Sequence, residues 1–549
     1  MRAPIFNRNE GVNFDELSAR FKWNLPDRFN IAGAICDGRD DIASEVALYC
    51  EDELGRTNQY TFEDIRVLTN RFANVLKAFG INSGDRVAVV MPQRVETAIA
   101  HLAAFKLGAV TVPLSILFGP DALRYRLTNS GARLVIGNNR NREVLESLAD
   151  EIDTIERVID CDDRGNAGFW PLLERAAAGF EAVDTSSDDA ALIIYTSGTT
   201  GPPKGAVIAH RCLLGNLTGF ELSQDFFPQK DDLFWTPADW AWTGGLIDAL
   251  LPSLYYGRPV LGYDQGKFDP ERVLELIGRY QVRNAFIPPT ALKMMRQVND
   301  IRGRFNVQFR SIMSAGESMG AELYHFGREA FGVDINEMWG QSEFNYIVGN
   351  SASILEVRPG SMGKPYPGHR VTPIDDEGNP LPAGQTGELA AHRDDPVMFL
   401  QYLDQPDATR KKFLGEWWRT GDVGYRDEDG YLWFVGRADD VISSAGYRIG
   451  PGEIEDCLIT HPAISQVAVV GSPDDLRGEI VKAFVVLAEG FSGDDALKKD
   501  IQESVKKKLA AYEYPREIEF LDSLPLTTTG KVRRIDLRER ERQRKSSPN

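Results

Sequence analysis

A hydrophobic run followed by a hydroxyl- and glycine-rich segment constrains this chain more than any other feature of its sequence. Residues 191–195 read ALIIY, which is typical of a buried strand, and residues 196–205 continue as TSGTTGPPKG. Glycines let a backbone approach a ligand closely and offer its N–H groups to anionic oxygens. The hydroxyls add further donors, and Lys204 adds a positive charge on a flexible side chain. The segment therefore predicts a loop that holds a polyphosphate, although its spacing is not that of a Walker A loop.

Composition excludes several classes of function. A chain of 549 residues is expected to form two to four domains, and a net charge of -19 argues against a nucleic-acid partner. The five cysteines include no CxxC pair and the six histidines are dispersed, so we expect free thiols and no zinc site. The N-terminus lacks the apolar core of a signal peptide, and no stretch approaches the roughly 20 apolar residues of a membrane span. We therefore expect a cytoplasmic protein.

Short β-branched runs alternate with helical patterns along the chain. Residues 86–91 predict a strand before a helix at 95–107, and residues 133–137 predict another before a helix at 141–148. Such alternation predicts an α/β fold with parallel strands. A strand at 430–437 then ends at a charged turn. We expect a large multi-subdomain α/β N-terminal domain over residues 1–436 and a smaller α+β domain over residues 437–549.

Taken whole, residues 195–205 resemble the phosphate loop of the adenylate-forming superfamily, which joins acyl-CoA synthetases, luciferases and peptide-synthetase adenylation domains. Further segments between residues 235 and 534 are similar to the family's motifs and follow in its order. The resemblance implies an AMP-forming acyl-CoA synthetase that uses ATP, Mg²⁺ and coenzyme A to activate a carboxylic acid. The smaller domain would be mobile, with Asp439 as its hinge. By this resemblance, the nucleotide contacts would come from Thr196, Ser197, Gly198, Thr199, Thr200, Gly201, Lys204, Gly316, Glu317, Ser318, Glu337, Met338, Trp339, Gly340, Gln341, Ser342, Asp422, Arg437 and Lys531.

The resemblance also implies individual roles at the reaction centre. Thr196, Glu343 and Lys531 would be catalytic, and Glu343 would be the carboxylate associated with magnesium. Asp422 would accept hydrogen bonds from the ribose hydroxyls, a task that suits the two oxygens of a carboxylate. The family often carries Thr before its glutamate and Thr-Gly after it, whereas this chain has SEFN at 342–345.

Residues 235–246 are similar to the acyl-pocket segment of acetyl- and medium-chain acyl-CoA synthetases. We expect the pocket to be lined by Trp240, Trp242, Thr243, Gly244 and Gly340. The acetyl enzymes close this pocket with a tryptophan where this chain has Gly340. We interpret the glycine as leaving that volume open, so the predicted acid is larger than acetate: short to medium in length, branched or cyclic.

The coenzyme A contacts are predicted by the same resemblance. They would come from Ala445, Gly446, Tyr447, Arg477, Lys506, Tyr514 and Arg516. Basic side chains suit phosphate groups. The frame around Lys531 also resembles a sequence that lysine acetyltransferases modify, which makes such an enzyme a candidate partner.

Two alternatives remain open from the sequence. Other adenylate-forming enzymes activate aryl or amino acids by the same first step. Residues 316–320 also match G-x-S-x-G, the nucleophile elbow of α/β-hydrolases, which would make Ser318 a nucleophile. That hypothesis leaves the 195–205 segment and the C-terminal motifs unexplained.

Overall fold

The computed structural model describes residues 2–8, 11, 13–196, 202–317, 319–444, 447–474, 477–509, 513–526 and 531–546. The chain forms two compact units. The first contains residues 1–370 and 392–416, and the second contains residues 371–391 and 417–549. The domain boundary expected after residue 436 does not coincide with this division, and it stays a prediction.

Strands and helices alternate through most of the chain. The strands are β1 (Val46–Asp52), β2 (Thr57–Thr61), β3 (Arg86–Val90), β4 (Val110–Leu114), β5 (Leu134–Gly137), β6 (Arg157–Asp160), β7 (Ala190–Thr196), β8 (Lys204–Ala209), β9 (Phe234–Trp235), β10 (Val260–Asp264), β11 (Asn284–Phe286), β12 (Ser311–Ser314), β13 (Ile335–Gln341), β14 (Asn345–Gly349), β15 (Ser361–Pro365), β16 (Val371–Ile374), β17 (Gly387–His392), β18 (Gln401–Tyr402), β19 (Phe413–Leu414), β20 (Trp417–Arg426), β21 (Leu432–Arg437), β22 (Ile442–Ser444), β23 (Tyr447–Ile449), β24 (Ile464–Asp474), β25 (Gly478–Leu487) and β26 (Glu517–Phe520).

The helices are α1 (Phe14–Arg20), α2 (Ile31–Cys36), α3 (Phe62–Ala78), α4 (Val95–Lys106), α5 (Pro120–Ser130), α6 (Arg142–Glu151), α7 (Phe169–Arg175), α8 (Cys212–Ser223), α9 (Thr243–Gly245), α10 (Leu251–Tyr255), α11 (Pro270–Tyr280), α12 (Pro289–Met295), α13 (Ile301–Arg304), α14 (Gly320–Phe326), α15 (Pro406–Lys412), α16 (Pro451–Leu458), α17 (Asp495–Lys506) and α18 (Arg534–Ser546). A 3₁₀ turn spans Asp40–Ile42, and π-helical turns span Leu246–Leu250 and Gly327–Phe331.

The first unit contains two twisted sheets. One runs β2-β1-β10-β9-β11-β12-β13-β14-β15, and its strands from β1 to β13 are parallel. The other runs β18-β8-β7-β4-β3-β5-β6 and is parallel from β7 to β6. Strands β3 and β4 are almost entirely apolar and buried, as expected where helices cover both faces of a parallel sheet. The predicted α/β architecture is confirmed.

The second unit is mostly antiparallel. Its strands include the runs β16-β17-β20-β21 and β23-β22-β25-β24, with β26 beside β25. The sequence predicts a frayed helix end over residues 538–549, whereas helix α18 extends to Ser546 and residues 547–549 lie outside the described residues. Its Glu541 is buried and accepts hydrogen bonds from Lys482 Nζ at 2.6 Å and Ser472 Oγ at 2.9 Å, which explains the order of this charged segment. No helix in the described parts of the chain has the length and apolar character needed to cross a bilayer.

Candidate active site

The predicted phosphate loop joins two paired strands. Strands β7 and β8 are antiparallel, and Thr196 lies opposite Lys204 at their open end. Below this end the hydroxyl of Tyr195 is buried and donates to Asn129 Oδ1 at 2.8 Å. The intervening Ser197, Gly198, Thr199, Thr200 and Gly201 lie outside the described residues. The ladder therefore holds the two residues that flank the loop, Thr196 and Lys204, side by side.

Lys204 and Glu343 meet through a tyrosine that sequence reasoning missed. The Lys204 Nζ lies 5.1 Å from the centre of the Tyr402 ring, and the Tyr402 hydroxyl donates to Glu343 Oε1 at 2.5 Å. The side chain of Tyr402 is 3% exposed, and Glu343 is 8% exposed. The backbone N–H of Phe399 donates to the Glu343 carbonyl at 2.6 Å. A cation and a carboxylate that are remote in sequence are thus brought to one place, where both could face a magnesium-bound polyphosphate.

The segment predicted to contact adenine follows strand β12. Glu317 accepts a hydrogen bond from Thr290 Oγ1 at 2.8 Å, and its other oxygen lies 4.0 Å from Lys293 Nζ. The carboxylate of Glu337 accepts from the backbone N–H of Met319 at 3.3 Å. Ser318 lies outside the described residues. The carboxylates of Glu317 and Glu337, both predicted to contact the nucleotide, are therefore each held by a specific hydrogen bond.

The structure corrects the interpretation of Gly340. A β-carbon at this position would lie 1.7 Å from the Asn345 carbonyl oxygen and 2.4 Å from Tyr346 Cα. The Cβ direction of Gly340 therefore points at strand β14 and not into open space, although the residue itself is exposed. Trp339, next to it, is mostly buried, with its ring centre 5.4 Å from that of Phe344. Met338 is buried, while Gln341 and Ser342 are half-buried.

The predicted acyl-pocket residues differ in exposure. Trp240 is 0% exposed, and its ring packs on Gly262, so it belongs to the core. Trp242 and Thr243 are half-buried, and the Trp242 ring stands edge-on to Phe118 at 5.7 Å. A β-carbon on Gly244 would lie 2.3 Å from Phe286, so this glycine permits close packing. Trp242 and Thr243 are the residues of this segment best placed to meet a ligand.

In the second unit Asp422 lies opposite Arg437 on paired strands β20 and β21. Arg437 Nη1 donates to Asp422 Oδ1 at 2.8 Å, and Asp422 is buried. The predicted hinge residue, Asp439, lies 3.8 Å from Arg437 Nε and also 3.8 Å from Arg538 Nη2. Its neighbour Asp440 also forms an ion pair with Arg538. The two predicted nucleotide contacts and the predicted hinge thus belong to one chain of alternating charges.

Lys531 is exposed and directly follows residues outside the described parts of the chain. The flanking residues Leu526 and Val532 form a bridge, and the Arg533 N–H donates to the Pro525 carbonyl at 2.8 Å. These contacts pair the residues on either side of the segment 527–530, which lies outside the described residues, and Lys531 stands next to that pair.

Three of the predicted coenzyme A contacts lie together. Lys506 Nζ and Arg516 Cζ lie 4.5 Å and 5.1 Å from the centre of the Tyr514 ring. Lys506 and Arg516 line a groove of about 570 Å³ between α17, β26 and α18. Arg477 is exposed and does not line this groove. Ala445 and Gly446 lie outside the described residues, and Tyr447 is described only as part of strand β23.

Comparisons with known proteins identify the family. The sequence model of the AMP-binding enzymes matches residues 42–403, and that of the AMP-binding enzyme C-terminal domain matches residues 453–531. The chain belongs to the AMP-binding enzyme family. Within this family, the mitochondrial acyl-coenzyme A synthetase ACSM3 of Mus musculus is 35% identical over 96% of this chain and 93% of its own length.

Two further comparisons support the assignment. The acetyl-coenzyme A synthetase of Bacillus subtilis is 35% identical over 89% of this chain and 86% of its own length. The crystal structure of the anthranilate CoA ligase AuaEII in complex with anthranoyl-AMP superposes with a TM-score of 0.85. It is 28% identical and covers 95% of this chain and 99% of its own. This AMP-binding enzyme is thus an acid–thiol ligase of the adenylate-forming superfamily, as the sequence predicts.

The hydrolase alternative is not favoured by these relatives. One histidine that it could use is also committed elsewhere, since His369 contacts Asp395 Oδ2 through Nδ1 at 2.7 Å and Thr218 Oγ1 through Nε2 at 3.1 Å. All three side chains are buried. A nucleophile elbow at the G-x-S-x-G match is therefore not favoured.

Proposed function

We propose that this AMP-binding enzyme activates a short- to medium-chain carboxylic acid, including branched or cyclic acids, and transfers it to coenzyme A. The protein is an ATP-dependent, AMP-forming acyl-CoA ligase, a conclusion carried by the family match over residues 42–403. The contacts between Lys204, Tyr402 and Glu343 supply the local geometry on which the proposed chemistry depends.

In the first step a carboxylate oxygen attacks the α-phosphorus of ATP, and pyrophosphate leaves as the bond to the bridging oxygen breaks. Negative charge gathers on the α-phosphate during this exchange. We assign Lys531 to neutralise that charge, and Thr196 and Lys204 to hold the β- and γ-phosphates. Asp422 and Arg437 would bind the ribose and nucleotide, while Glu317, Glu337 and Trp339 would contact adenine.

Magnesium is part of this proposal. Mg²⁺ usually binds through one or two carboxylates together with phosphate oxygens. Glu343 is a mostly buried carboxylate, and the described residues contain no group of three His, Cys, Asp or Glu that could hold a metal ion by themselves. This donor set fits a magnesium ion that enters with ATP, for which Glu343 would be the protein ligand. The ion would offset the charge of the polyphosphate.

In the second step the thiolate of coenzyme A attacks the acyl carbon, and AMP leaves with the electron pair of the broken bond. The two steps need different groups at one substrate. We propose that rotation about Asp439 exchanges Lys531 for the 445–447 segment. The Lys506, Tyr514 and Arg516 cluster supports phosphate binding on the second unit, since its cations suit the nucleotide end of coenzyme A.

The choice of acid rests on Trp242 and Thr243. The half-buried Trp242 ring gives a flat apolar wall. The anthranilate ligase among the structural neighbours supports the inclusion of small ring acids. Gly340 contributes no evidence for the size of the acid, because its Cβ direction faces backbone.

Two smaller predictions remain part of the proposal. The five cysteines are free thiols, which supports a cytoplasmic location in a reducing compartment. An acetyltransferase acting on Lys531 finds no support in the comparisons and stays a prediction.

A panel of acids tests the proposal. AMP and pyrophosphate release are measured with acetate, butyrate, isobutyrate, hexanoate, octanoate and benzoate, each with and without coenzyme A. We expect pyrophosphate release that depends on the acid, and thioester only when coenzyme A is present. A higher kcat/KM for acetate than for every larger acid would contradict the proposed substrate class. Failure of every acid to release pyrophosphate would contradict the assigned reaction.

A further inference from the structure

The turn that carries Glu343 departs from the family's pattern, and the structure shows how this chain stabilises it. Asn345 has φ of +52°, in the left-handed region that glycine adopts freely and asparagine tolerates better than other residues. Phe344, which lies between Glu343 and Asn345, is fully buried. A residue other than glycine at this φ costs conformational energy, so its side chain is expected to make compensating contacts.

Those contacts lie in a buried polar cluster formed by Asn216, Asp248 and Asn345. Asn345 Nδ2 donates to Asp248 Oδ1 at 2.6 Å and to Asn216 Oδ1 at 2.8 Å. Asn216 Nδ2 donates to the Ile247 carbonyl at 3.0 Å and lies 3.4 Å from Asp248 Oδ1. The relative exposures are 0% for Asn216, 5% for Asp248 and 8% for Asn345. The amides of helix α8 and the 341–345 turn therefore meet at one carboxyl group.

Asp248 is in an unusual backbone position. It lies in the π-helical turn Leu246–Leu250, directly after the Thr243–Gly245 part of the acyl segment. π-Helical turns are rare and occur frequently at functional sites. Burial raises the pKa of Asp248 to about 8, and in the described part of the chain no cation pairs with it. The group that holds Asn345 is thus a largely uncharged acid at neutral pH, with little long-range effect on the charges of the nucleotide site.

We propose that Asp248 is a positioning residue for adenylation: through Asn345 it holds the 341–345 turn and so orients Glu343. The turn is then fixed on both sides, since Tyr402 and the Phe399 N–H hold Glu343 itself. The hydrogen bond between Asp248 and Asn345 thus connects the turn that follows the acyl segment to the turn that carries Glu343. This inference rests on the proposed function, because it assumes that Glu343 acts on ATP bound with magnesium.

The test measures pyrophosphate release as a function of Mg²⁺ concentration. Asn345→Gly keeps access to positive φ but removes the side-chain hydrogen bonds to Asp248 and Asn216. It therefore tests those hydrogen bonds separately from the backbone conformation. We expect the Mg²⁺ concentration for half-maximal rate to rise about tenfold, in the same direction as for Glu343→Gln. Thioester formation from a supplied acyl-adenylate should stay within twofold of wild type. Asp248→Ala should raise the Mg²⁺ requirement similarly, and the double variant should be no worse than either single variant.

Two further variants separate positioning from general stability. Asp248→Asn keeps the shape and a carbonyl acceptor, so it should restore most of the Mg²⁺ response lost in Asp248→Ala. Gln224→Ala removes another fully buried amide, whose Nε2 donates to the Ala285 carbonyl at 3.1 Å. It should lower the thermal midpoint without changing the Mg²⁺ response.

A wild-type Mg²⁺ response in Asn345→Gly would overturn the inference, as would an equal shift in Gln224→Ala. Asn345→Gly decides the question even if Asp248→Ala does not fold. Absence of acid-dependent pyrophosphate release from the wild-type enzyme would instead contradict the proposed function, so the two failures are distinguishable.

Discussion

Around Lys204 the chemistry depends on which side chains face one another. Tyr402 shields one end of the Glu343 carboxylate and places its ring beside the Lys204 ammonium. The contact between an ammonium and an aromatic face is stronger where water is partly excluded, and so is a hydrogen bond from a hydroxyl to a carboxylate. Single side chains in this cluster should therefore affect ATP-dependent steps more than steps that use a preformed adenylate.

Lys531 is the residue for which the two half-reactions should separate most clearly. Lys531→Ala removes the charge proposed to act only during adenylate formation, so pyrophosphate release should fall about 100-fold or more. Thioester formation from a supplied acyl-adenylate should be largely retained. Arg533→Ala is the matched control, since Arg533 is a nearby half-exposed cation that pairs with Asp536 at 3.2 Å. Equal loss of both steps in Lys531→Ala would refute the division of labour.

Gly340 should tolerate no side chain. In Gly340→Ala the new β-carbon would overlap the Asn345 carbonyl, so strands β13 and β14 must separate. We expect a loss of stability of about 2 kcal/mol or more, together with lower activity on every acid. Gly179→Ala is the control, because a β-carbon there meets nothing within 4 Å. A Gly340→Ala or Gly340→Trp variant of normal stability that merely prefers acetate would restore the open-pocket interpretation.

At the scale of elements, the ladder between β20 and β21 leads directly to the predicted hinge. Asp422 and Arg437 face one another across this ladder, and Asp439 follows two residues later. Helix α18 reaches the same place through Arg538, which contacts both Asp439 and Asp440. The helix that follows Lys531 is thus tied to the segment about which the second domain is expected to turn.

Asp439→Pro tests the rotation. Proline fixes φ near −65° and removes a backbone donor, so we expect adenylation to persist while thioester formation collapses. Asp439→Ala loses the same two charge contacts but keeps a free φ, and it should retain both steps. Thioester formation at the wild-type rate in Asp439→Pro would show that the chain does not turn at this residue.

At the scale of the whole first unit, the N-terminal segment is held by a buried acid on helix α8. Glu221 accepts from the N–H groups of Ile5 at 2.7 Å and Phe6 at 2.9 Å, and it also accepts from the Tyr256 hydroxyl. Burial raises the pKa of Glu221 from 4.5 to about 7. Between pH 4.5 and about 7, Glu221 therefore keeps its proton in the folded protein and releases it in the unfolded chain.

The free energy of unfolding should consequently fall as pH rises from 4.5 to about 7. The contribution of Glu221 is fully present below pH 4.5 and is lost as pH rises through about 7. The loss amounts to about 3 kcal/mol at most. Glu221→Gln should show a smaller fall in thermal midpoint between pH 5 and pH 8 than wild type, because the amide does not titrate. Identical pH profiles for the two proteins would show that Glu221 does not carry this dependence.

Local sequence patterns determined the architecture and the family. The strand at 190–196, the alternating β and α segments and the spaced motifs all rest on residues close in sequence, so periodicity and turn chemistry could reveal them. Roles for Thr196, Lys204 and Glu343 could be predicted because each lies within a short motif, and these roles stay predictions. The bounds of these elements differed from expectation by only a few residues.

Only the tertiary structure decided which distant residues meet. Tyr402 contacts Glu343 because strand β18 pairs with β8 in a particular register. No sequence motif near residue 402 predicts this contact. The Cβ direction of Gly340 is blocked because β14 folds back on β13. Asp248 contacts Asn345 because helix α8 and a π-helical turn are buried together. Such contacts follow from long-range strand pairing and packing, which depend on the whole chain at once and not on any local pattern.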